Sequence, residues 1–78
     1  MATPGVKEVI WMWEQGGWWK PYSHEETALL EKAFVEGTHE VEVAGGRYWS
    51  AIVNFKKMHQ VSTLGRYRMV RRVAVLSP

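Results

Sequence analysis

The sequence predicts an α+β fold, in which one α-helix packs against a strongly curved and mainly antiparallel sheet. Three observations support this prediction. Several short segments alternate apolar and polar side chains, as half-buried strands do. Only one segment, at about residues 24–36, has apolar residues at helical spacing. Short, glycine-containing connections favour antiparallel neighbours, and one helix can then cover the apolar face of a six-stranded sheet.

The first two strands form a predicted β-hairpin. Val9, Trp11 and Trp13 recur at every second position, so their side chains share one face of a strand. Gly16-Gly17 is typical of a tight hairpin turn. Trp18–Lys20 follows as a short partner strand.

The predicted helix begins immediately after Ser23. A Ser-x-x-Glu capping box starts at this residue, and acidic side chains follow in the first turn, where the helix dipole favours them. Leu30, Ala33 and Phe34 form an apolar stripe along one side. Gly37 is a typical residue just beyond a helix C-terminus.

Four more strands complete the predicted sheet. Glycine-containing turns at Gly45-Gly46 and at residues 62–65 each separate two of them. The four predicted strands are His39–Val43, Arg47–Phe55, Lys57–Val61 and Arg66–Leu76.

The length of 78 residues corresponds to one small domain. We assign this domain to residues 8–76, and we predict that residues 1–7 form a flexible N-terminal tail. The chain contains no cysteine, so dense packing of large apolar side chains must stabilise it. No segment has the roughly 20 apolar residues that cross a membrane. We therefore expect no insertion into a membrane, and we expect the isolated domain to be monomeric.

Charge is unevenly distributed along the chain. Residues 1–42 contain all eight acidic residues and three lysines, which gives a net charge of −5. Residues 43–78 contain seven basic residues and no acid, which gives +7 and leaves a total of +2. This asymmetry favours an anionic partner for the second half. Pairing of the two halves within one fold would explain the same distribution.

The residue types that catalysis and metal binding require do not occur at suitable spacings. The chain has three histidines but no Cys or Asp, and no histidine pair has the spacing of a helical zinc motif. The glycine pairs lie in predicted hairpin turns, whereas a phosphate-binding loop connects a strand to a helix. We predict that the domain is not an enzyme and requires no cofactor and no metal.

Arginines are concentrated in the last predicted strand. Arg66 and Arg68 share one face and lie about 7 Å apart, because a strand rises ~3.3 Å per residue. This spacing suits two phosphate groups, which guanidinium groups bind with paired hydrogen bonds. The alternative is an edge strand whose charges prevent aggregation.

Four of the five tryptophans fall within residues 11–19. They either form the core or line a pocket for a flat group. An aromatic pocket with arginines at one end suits a ligand that has a base and phosphates, and single-stranded nucleic acid has the same chemistry. The residue types alone do not distinguish a mononucleotide, a dinucleotide-like molecule, RNA and an acidic peptide.

Five motifs occur in the order and spacing of a known family. They are W-x-W, W-x-P-Y-S, a capped helix with a Leu-Glu pair, N-F-x-x-M-x-Q and G-R-x-R-x-V-R-R, and they extend over about residues 8–73. In these motifs the sequence resembles the WWE domain, named for two tryptophans and a glutamate. The resemblance implies a half-barrel of about six strands around one helix. It also implies a part in ubiquitination or ADP-ribosylation, since WWE domains occur in ubiquitin ligases, including the Deltex type, and in poly(ADP-ribose) polymerases.

The resemblance further implies a ligand. Several WWE domains bind iso-ADP-ribose, the internal unit of poly(ADP-ribose), or a terminal ADP-ribose. By resemblance, Tyr22 forms a pocket wall, Gln60 hydrogen-bonds the ligand and Arg68 grips a phosphate. The implied ligand-binding residues are Tyr22, Gln60, Arg66, Arg68 and Arg71.

Other matching residues have implied structural roles. Because neighbouring residues of a strand face opposite ways, only one of Arg71 and Arg72 can extend a basic rim. Glu31 is expected to make a hydrogen bond or an ion pair inside the domain. The residues of the structural signature are Trp11, Trp13, Trp19 and Glu31.

Two features depart from the pattern of ligand-binding members. Ala51 stands where some of them have tyrosine, and the turn between Gln60 and Gly65 is shorter. The alternative function is therefore a protein-interaction module of a ubiquitin ligase or ADP-ribosyltransferase without a nucleotide ligand. RNA binding is disfavoured, because Tyr67 is the one aromatic residue suited to stacking on the basic strand. We expect an intracellular protein, in the nucleus or the cytoplasm.

Overall fold

The computed structural model describes residues 5–44 and 50–76. Within these residues, six strands form one open antiparallel sheet, and one helix packs against it, which confirms the predicted α+β class. The elements are β1 (Val6–Gln15), β2 (Trp18–Pro21), α1 (His24–Val35), β3 (Glu40–Ala44), β4 (Ser50–Asn54), β5 (His59–Ser62) and β6 (Tyr67–Leu76).

The strand order makes the first and last strands of the described chain neighbours inside the sheet. The order is β2-β1-β6-β5-β4-β3, so the ten-residue strands β1 and β6 are neighbours. β2 and β3 form the two edges. Residues from both halves of the sequence therefore lie side by side on these two strands.

Strand β1 begins earlier than the sequence indicates. Val6 and Lys7, which we placed in the tail, belong to β1. Val6 pairs with Leu76, and a register shift separates this pair from the pairing of Glu8. The apolar alternation starts only beyond this irregularity, at Val9, so it does not reveal the earlier residues of the strand.

The segment after β4 also differs from the prediction. We expected a strand over Lys57–Val61, but residues 55–58 form a turn and β5 begins at His59. Asn54 Oδ1 accepts a hydrogen bond from the Lys57 amide at 2.9 Å, and Met58 has a φ of +52°. These local features close a turn that apolar patterning alone does not indicate. The predicted turn at Gly45-Gly46 lies outside the described residues.

The core is centred on Trp11, which is fully buried. Its ring makes edge contacts with Phe34 of the helix and Phe55 of the turn, with centroid distances of 5.3 and 5.4 Å. Such edge-to-face pairs stabilise a core beyond their buried area. The other buried apolar residues of this core are Tyr22, Leu30, Val43, Ala51, Val53 and Val70.

A polar network attaches the helix to the two longest strands, β1 and β6. Glu31 Oε1 accepts hydrogen bonds from Trp11 Nε1 at 3.0 Å and from Arg72 Nε at 2.8 Å, and Oε2 accepts one from Arg72 Nη2 at 2.8 Å. The hydrogen bonds from Arg72, with a smaller contribution from Trp11, lower the pKa of the Glu31 carboxyl. Glu31 thus joins α1 to both β1 and β6.

Both ends of helix α1 have the terminal residues that the sequence predicts. Ser23 and Glu26 form a complete capping box at its start, and Gly37 has a φ of +79° just past its end. In the part of the chain that the structure describes, no helix is long and apolar enough to cross a membrane.

Candidate functional site

Two of the predicted ligand-binding residues lie together on the face of the sheet that packs against α1, which we call the inner face. Gln60 pairs with Arg68 on β6 and with Val53 on β4, and paired residues of antiparallel strands share a face. Val53 belongs to the core cluster that includes Leu30 of the helix. Gln60 and Arg68 therefore project from the helix side of the sheet.

An open cleft of about 160 Å³ lies beside these residues. Its walls combine one indole, one amide from a buried glutamine and two guanidinium groups. The lining residues are Trp13, Gln15, Gln60, Ser62, Leu64, Arg66 and Arg68. None of these residues is acidic, so an anion in the cleft meets no carboxylate from them.

A tight turn places the two arginines at the cleft. The Ser62 carbonyl oxygen accepts a hydrogen bond from the Gly65 amide at 2.9 Å, and Ser62 Oγ accepts one from the Arg66 amide at 3.2 Å. Gly65 has a φ of +78°, a conformation that favours glycine. The turn fixes a register in which Arg66 follows directly from the bend and Arg68 lies opposite Gln60.

Gln60 is held in place from behind by Tyr22. The side chains are 1% and 6% exposed, and the Tyr22 hydroxyl donates a hydrogen bond to Gln60 Oε1. Burial, with a smaller contribution from the carboxylate of Glu26, raises the pKa of Tyr22 well above its ordinary value. The hydroxyl therefore remains a donor. Because it binds the carbonyl end of Gln60, the amide NH₂ group is the end that is left for a ligand.

Tyr22, the pocket wall that the resemblance implies, lies behind Gln60 in the structure. It lines a separate depression beside the first turn of α1, together with Val9, Ile10 and Thr27, and is not among the residues that line the cleft. Its contact with the site is the hydrogen bond to Gln60. Tyr22 thus orients the side chain of Gln60 at this cleft.

Neither Arg71 nor Arg72 lines the cleft. Arg72 is directed toward the helix and pairs with Glu31. Arg71 faces the opposite side of the sheet, the outer face, where its guanidinium carbon lies 4.2 Å from the centre of the Trp19 ring. The structure therefore brings together Gln60, Arg66 and Arg68 but not Arg71.

Trp13 is the main lining residue that the sequence analysis assigned to the core. It pairs with Val70 of β6 and with Lys20 of β2, whose Nζ lies 6.0 Å from the centre of the indole. Gln15, Ser62 and Leu64 were also not predicted. Ser62 could have been predicted from the turn at 62–65, because closing this turn brings Ser62 next to Arg66.

Ala51, where some ligand-binding members have tyrosine, is a core residue in this fold. It is 2% exposed and pairs with Val43 and Ser62. The cleft-lining residues do not include it. The aromatic surface of the cleft thus comes from Trp13 on β1.

The cleft presents groups that can bind a ligand with a flat ring and phosphates. An indole face can pack against a flat ring, the Gln60 amide can hydrogen-bond a ring edge or a ribose, and two guanidinium groups can bind phosphate oxygens. In the described residues, no cluster of three potential metal ligands occurs.

Comparison with known proteins supports a single family. A comparison with curated proteins gives no match. The model of the WWE domain family matches residues 9–72, which is most of the chain and runs from within β1 to the middle of β6. The chain therefore belongs to the WWE domain family.

Proposed function

We propose that this domain is a non-catalytic module that binds the iso-ADP-ribose or ADP-ribose unit of poly(ADP-ribose). In this proposal it directs a larger protein of ubiquitination or ADP-ribosylation to modified targets inside the cell, in the nucleus or the cytoplasm. WWE domains are protein-interaction modules associated with ubiquitin ligases and poly(ADP-ribose) polymerases. The ADP-ribose ligand is the part of the proposal that the cleft supports.

The composition of the cleft carries this proposal. Trp13 offers a stacking surface, Gln60 offers an oriented amide, and Arg66 and Arg68 offer two cations on one side. An ADP-ribose unit has an adenine, riboses and phosphates, so each group has a counterpart. Ligand pockets usually measure about 300–1,000 Å³. A cleft of about 160 Å³ therefore holds part of such a ligand and leaves the rest on the surface.

Calorimetric titration with iso-ADP-ribose, ADP-ribose and AMP tests the proposal. We expect Arg68→Ala to weaken binding of the preferred ligand by about 2–5 kcal/mol, because a ligand phosphate loses its charged partner. Gln60→Ala removes the oriented amide and should also weaken binding. Arg71→Ala is the matched comparison, since it removes an arginine from the same strand but from the outer face. Equal losses for Arg68→Ala and Arg71→Ala would contradict a ligand site in the cleft.

A second candidate function is protein binding through the outer face without a nucleotide ligand. The pairings Ile52–Val61 and Val61–Tyr67 place three apolar side chains in a row across β4, β5 and β6. Ile52 is 44% exposed and Tyr67 69% exposed, and such patches often mark interaction surfaces. No heat signal with any of the three ligands on a folded sample would favour this second function.

A further inference from the structure

Trp18 is an exposed tryptophan beside the cleft. Its side chain is 75% exposed, although an indole normally buries a large area in the fold. It is not among the residues that line the cleft. Its apolar surface is therefore open to a ligand or a partner.

A tight hairpin turn places Trp18 on the inner face. Gly16 and Gly17 have φ angles of +59° and +86°, as the two central residues of a type I′ turn do. This turn pairs Trp18 with Gln15, which lines the cleft. Because paired residues share a face, Trp18 lies next to the cleft on its β2 side.

Lys20 adds a cation to the same surface. It pairs with Trp13, so it projects from the inner face as Trp18 does. Two residues of a strand separate an aromatic group from a charge by about 7 Å. The inner face of β2 therefore offers a stacking surface and a phosphate-binding group, the same combination that the cleft offers with Trp13 and its arginines.

We propose that Trp18 and Lys20 form a second subsite, which binds the unit of poly(ADP-ribose) adjacent to the unit held in the cleft. The adenine of the second unit stacks on the Trp18 indole, and one of its phosphates contacts the Lys20 ammonium. This inference rests on the proposed function, because it requires a first unit in the cleft.

The charges around the cleft suit a polymer that crosses it. Arg66 and Arg68 lie on the β6 side and Lys20 on the β2 side, so cations stand on both sides of Trp13. A polymer of ADP-ribose has phosphates in every repeat, on both sides of each adenosine. A chain of three ADP-ribose units contains two internal units, which alone doubles its apparent affinity. The domain should therefore bind such a chain more than twofold more tightly than it binds a single iso-ADP-ribose.

The test compares the affinity for iso-ADP-ribose with the affinity for a purified chain of three ADP-ribose units. Both constants are measured by calorimetry for the native sequence, Trp18→Ala and Tyr67→Ala. Tyr67→Ala is the matched control, because Tyr67 is 69% exposed but lies on the outer face. Stacking of one base on an aromatic side chain changes affinity by about five- to 150-fold. The statistical factor is the same in all three proteins and cancels in the comparison.

We expect Trp18→Ala to reduce the preference for the longer chain at least about fivefold while leaving the affinity for iso-ADP-ribose unchanged. Tyr67→Ala should change neither. Lys20→Gln should lower the salt dependence of binding the three-unit chain by about one phosphate contact.

Three other results would overturn the second subsite. If Trp18→Ala keeps the native preference, the adjacent unit does not use Trp18, and the proposed function stands. If it weakens both ligands equally, Trp18 belongs to the first site. If the native domain binds neither ligand while folded, the proposed function itself fails and the inference fails with it.

Discussion

Glu31 connects the helix to the sheet through a single carboxylate. Replacing it by alanine leaves the fully buried indole N–H of Trp11 without an acceptor and Arg72 without its partner. A buried donor that loses its partner costs about 1–3 kcal/mol. For a domain of this size, we expect Glu31→Ala to lower Tm by roughly 5–20 °C in thermal unfolding. Glu25→Ala, which removes an exposed acid from the same helix, should change Tm far less, and similar losses in both variants would contradict this role.

The same carboxylate predicts a pH dependence of stability. The folded-state pKa of Glu31 is lowered from its ordinary value of 4.5 by its hydrogen bonds to Arg72 and Trp11. Its contribution to the free energy of unfolding is therefore complete above pH ~5 and is lost as pH falls through the folded-state pKa. We expect the difference in Tm between the native sequence and Glu31→Gln to shrink as pH decreases below about 5. A difference that stays constant from pH 7 to pH 3 would contradict this.

Two residues near the site show what the sequence did and did not reveal. The alternation of β1 correctly placed Trp11 and Trp13 on one face, but it could not show that one is buried and the other lines a cleft. Trp11 is covered by Phe34 of the helix and Phe55 of the turn, and alternation within a strand does not indicate such contacts. The resemblance placed Tyr22 at a pocket wall, and in the fold its hydroxyl donates a hydrogen bond to Gln60, 38 positions away in sequence. A contact of that separation depends on the strand order.

The β1–β2 hairpin depends on the backbone conformation of its two glycines. Gly16 has a φ of +59°, which asparagine also tolerates, and a Cβ at either glycine would meet no atom within 4 Å. We expect Gly16→Asn to maintain or slightly raise Tm, since Asn-Gly suits a type I′ turn and restricts the unfolded chain. Gly17→Val forces a β-branched residue to a φ of +86° and should lower stability by about 1–2 kcal/mol.

Thermal unfolding of both variants checks this prediction, and ligand titration extends it. If the hairpin holds Trp18 beside the cleft, Gly17→Val should also weaken binding of the three-unit chain. Equal Tm values for Gly16→Asn and Gly17→Val would show that positive φ angles at this turn are not required.

The elements that were predicted well have local signals. Helix α1 has a capping box, an apolar stripe and a terminal glycine within 15 residues, and its observed bounds differ from the prediction by one residue. The turn at 55–58 has no such signal, because it depends on the Asn54 side chain and on the positive φ of Met58. The sheet register that joins Gln60 to Arg68 was accessible from the turn between them, whereas the pairing of β1 with β6 required the whole fold.

The opposite charges of the two halves of the chain have two uses in the folded molecule. The ion pair between Glu31 and Arg72 joins the halves inside the domain, as one interpretation of the charge distribution expected. Arg66 and Arg68 instead line a cleft whose lining contains no acid. The second half of the chain therefore pairs one of these arginines inside the domain and leaves two at the cleft.

The cleft takes its walls from β1, β5, β6 and the turn between β5 and β6, so it exists only when strands from both ends of the described chain have assembled. A ligand of this cleft therefore binds the native state and not the unfolded chain. At about 100 times its Kd, such a ligand adds roughly 2.7 kcal/mol to the free energy of unfolding. In a 78-residue domain this should raise Tm by upward of about 10 °C.

Thermal unfolding with iso-ADP-ribose, ADP-ribose and AMP identifies which ligand stabilises the whole molecule. We expect a large rise in Tm with iso-ADP-ribose and little with AMP, because AMP lacks the second ribose and its phosphate. A rise mainly with ADP-ribose would assign the cleft to chain ends or single modifications. Arg68→Ala should abolish the rise while keeping the ligand-free Tm, since Arg68 is half-buried on the cleft and makes none of the contacts that join helix and sheet. A rise that persists in Arg68→Ala would place the stabilising ligand elsewhere on the domain.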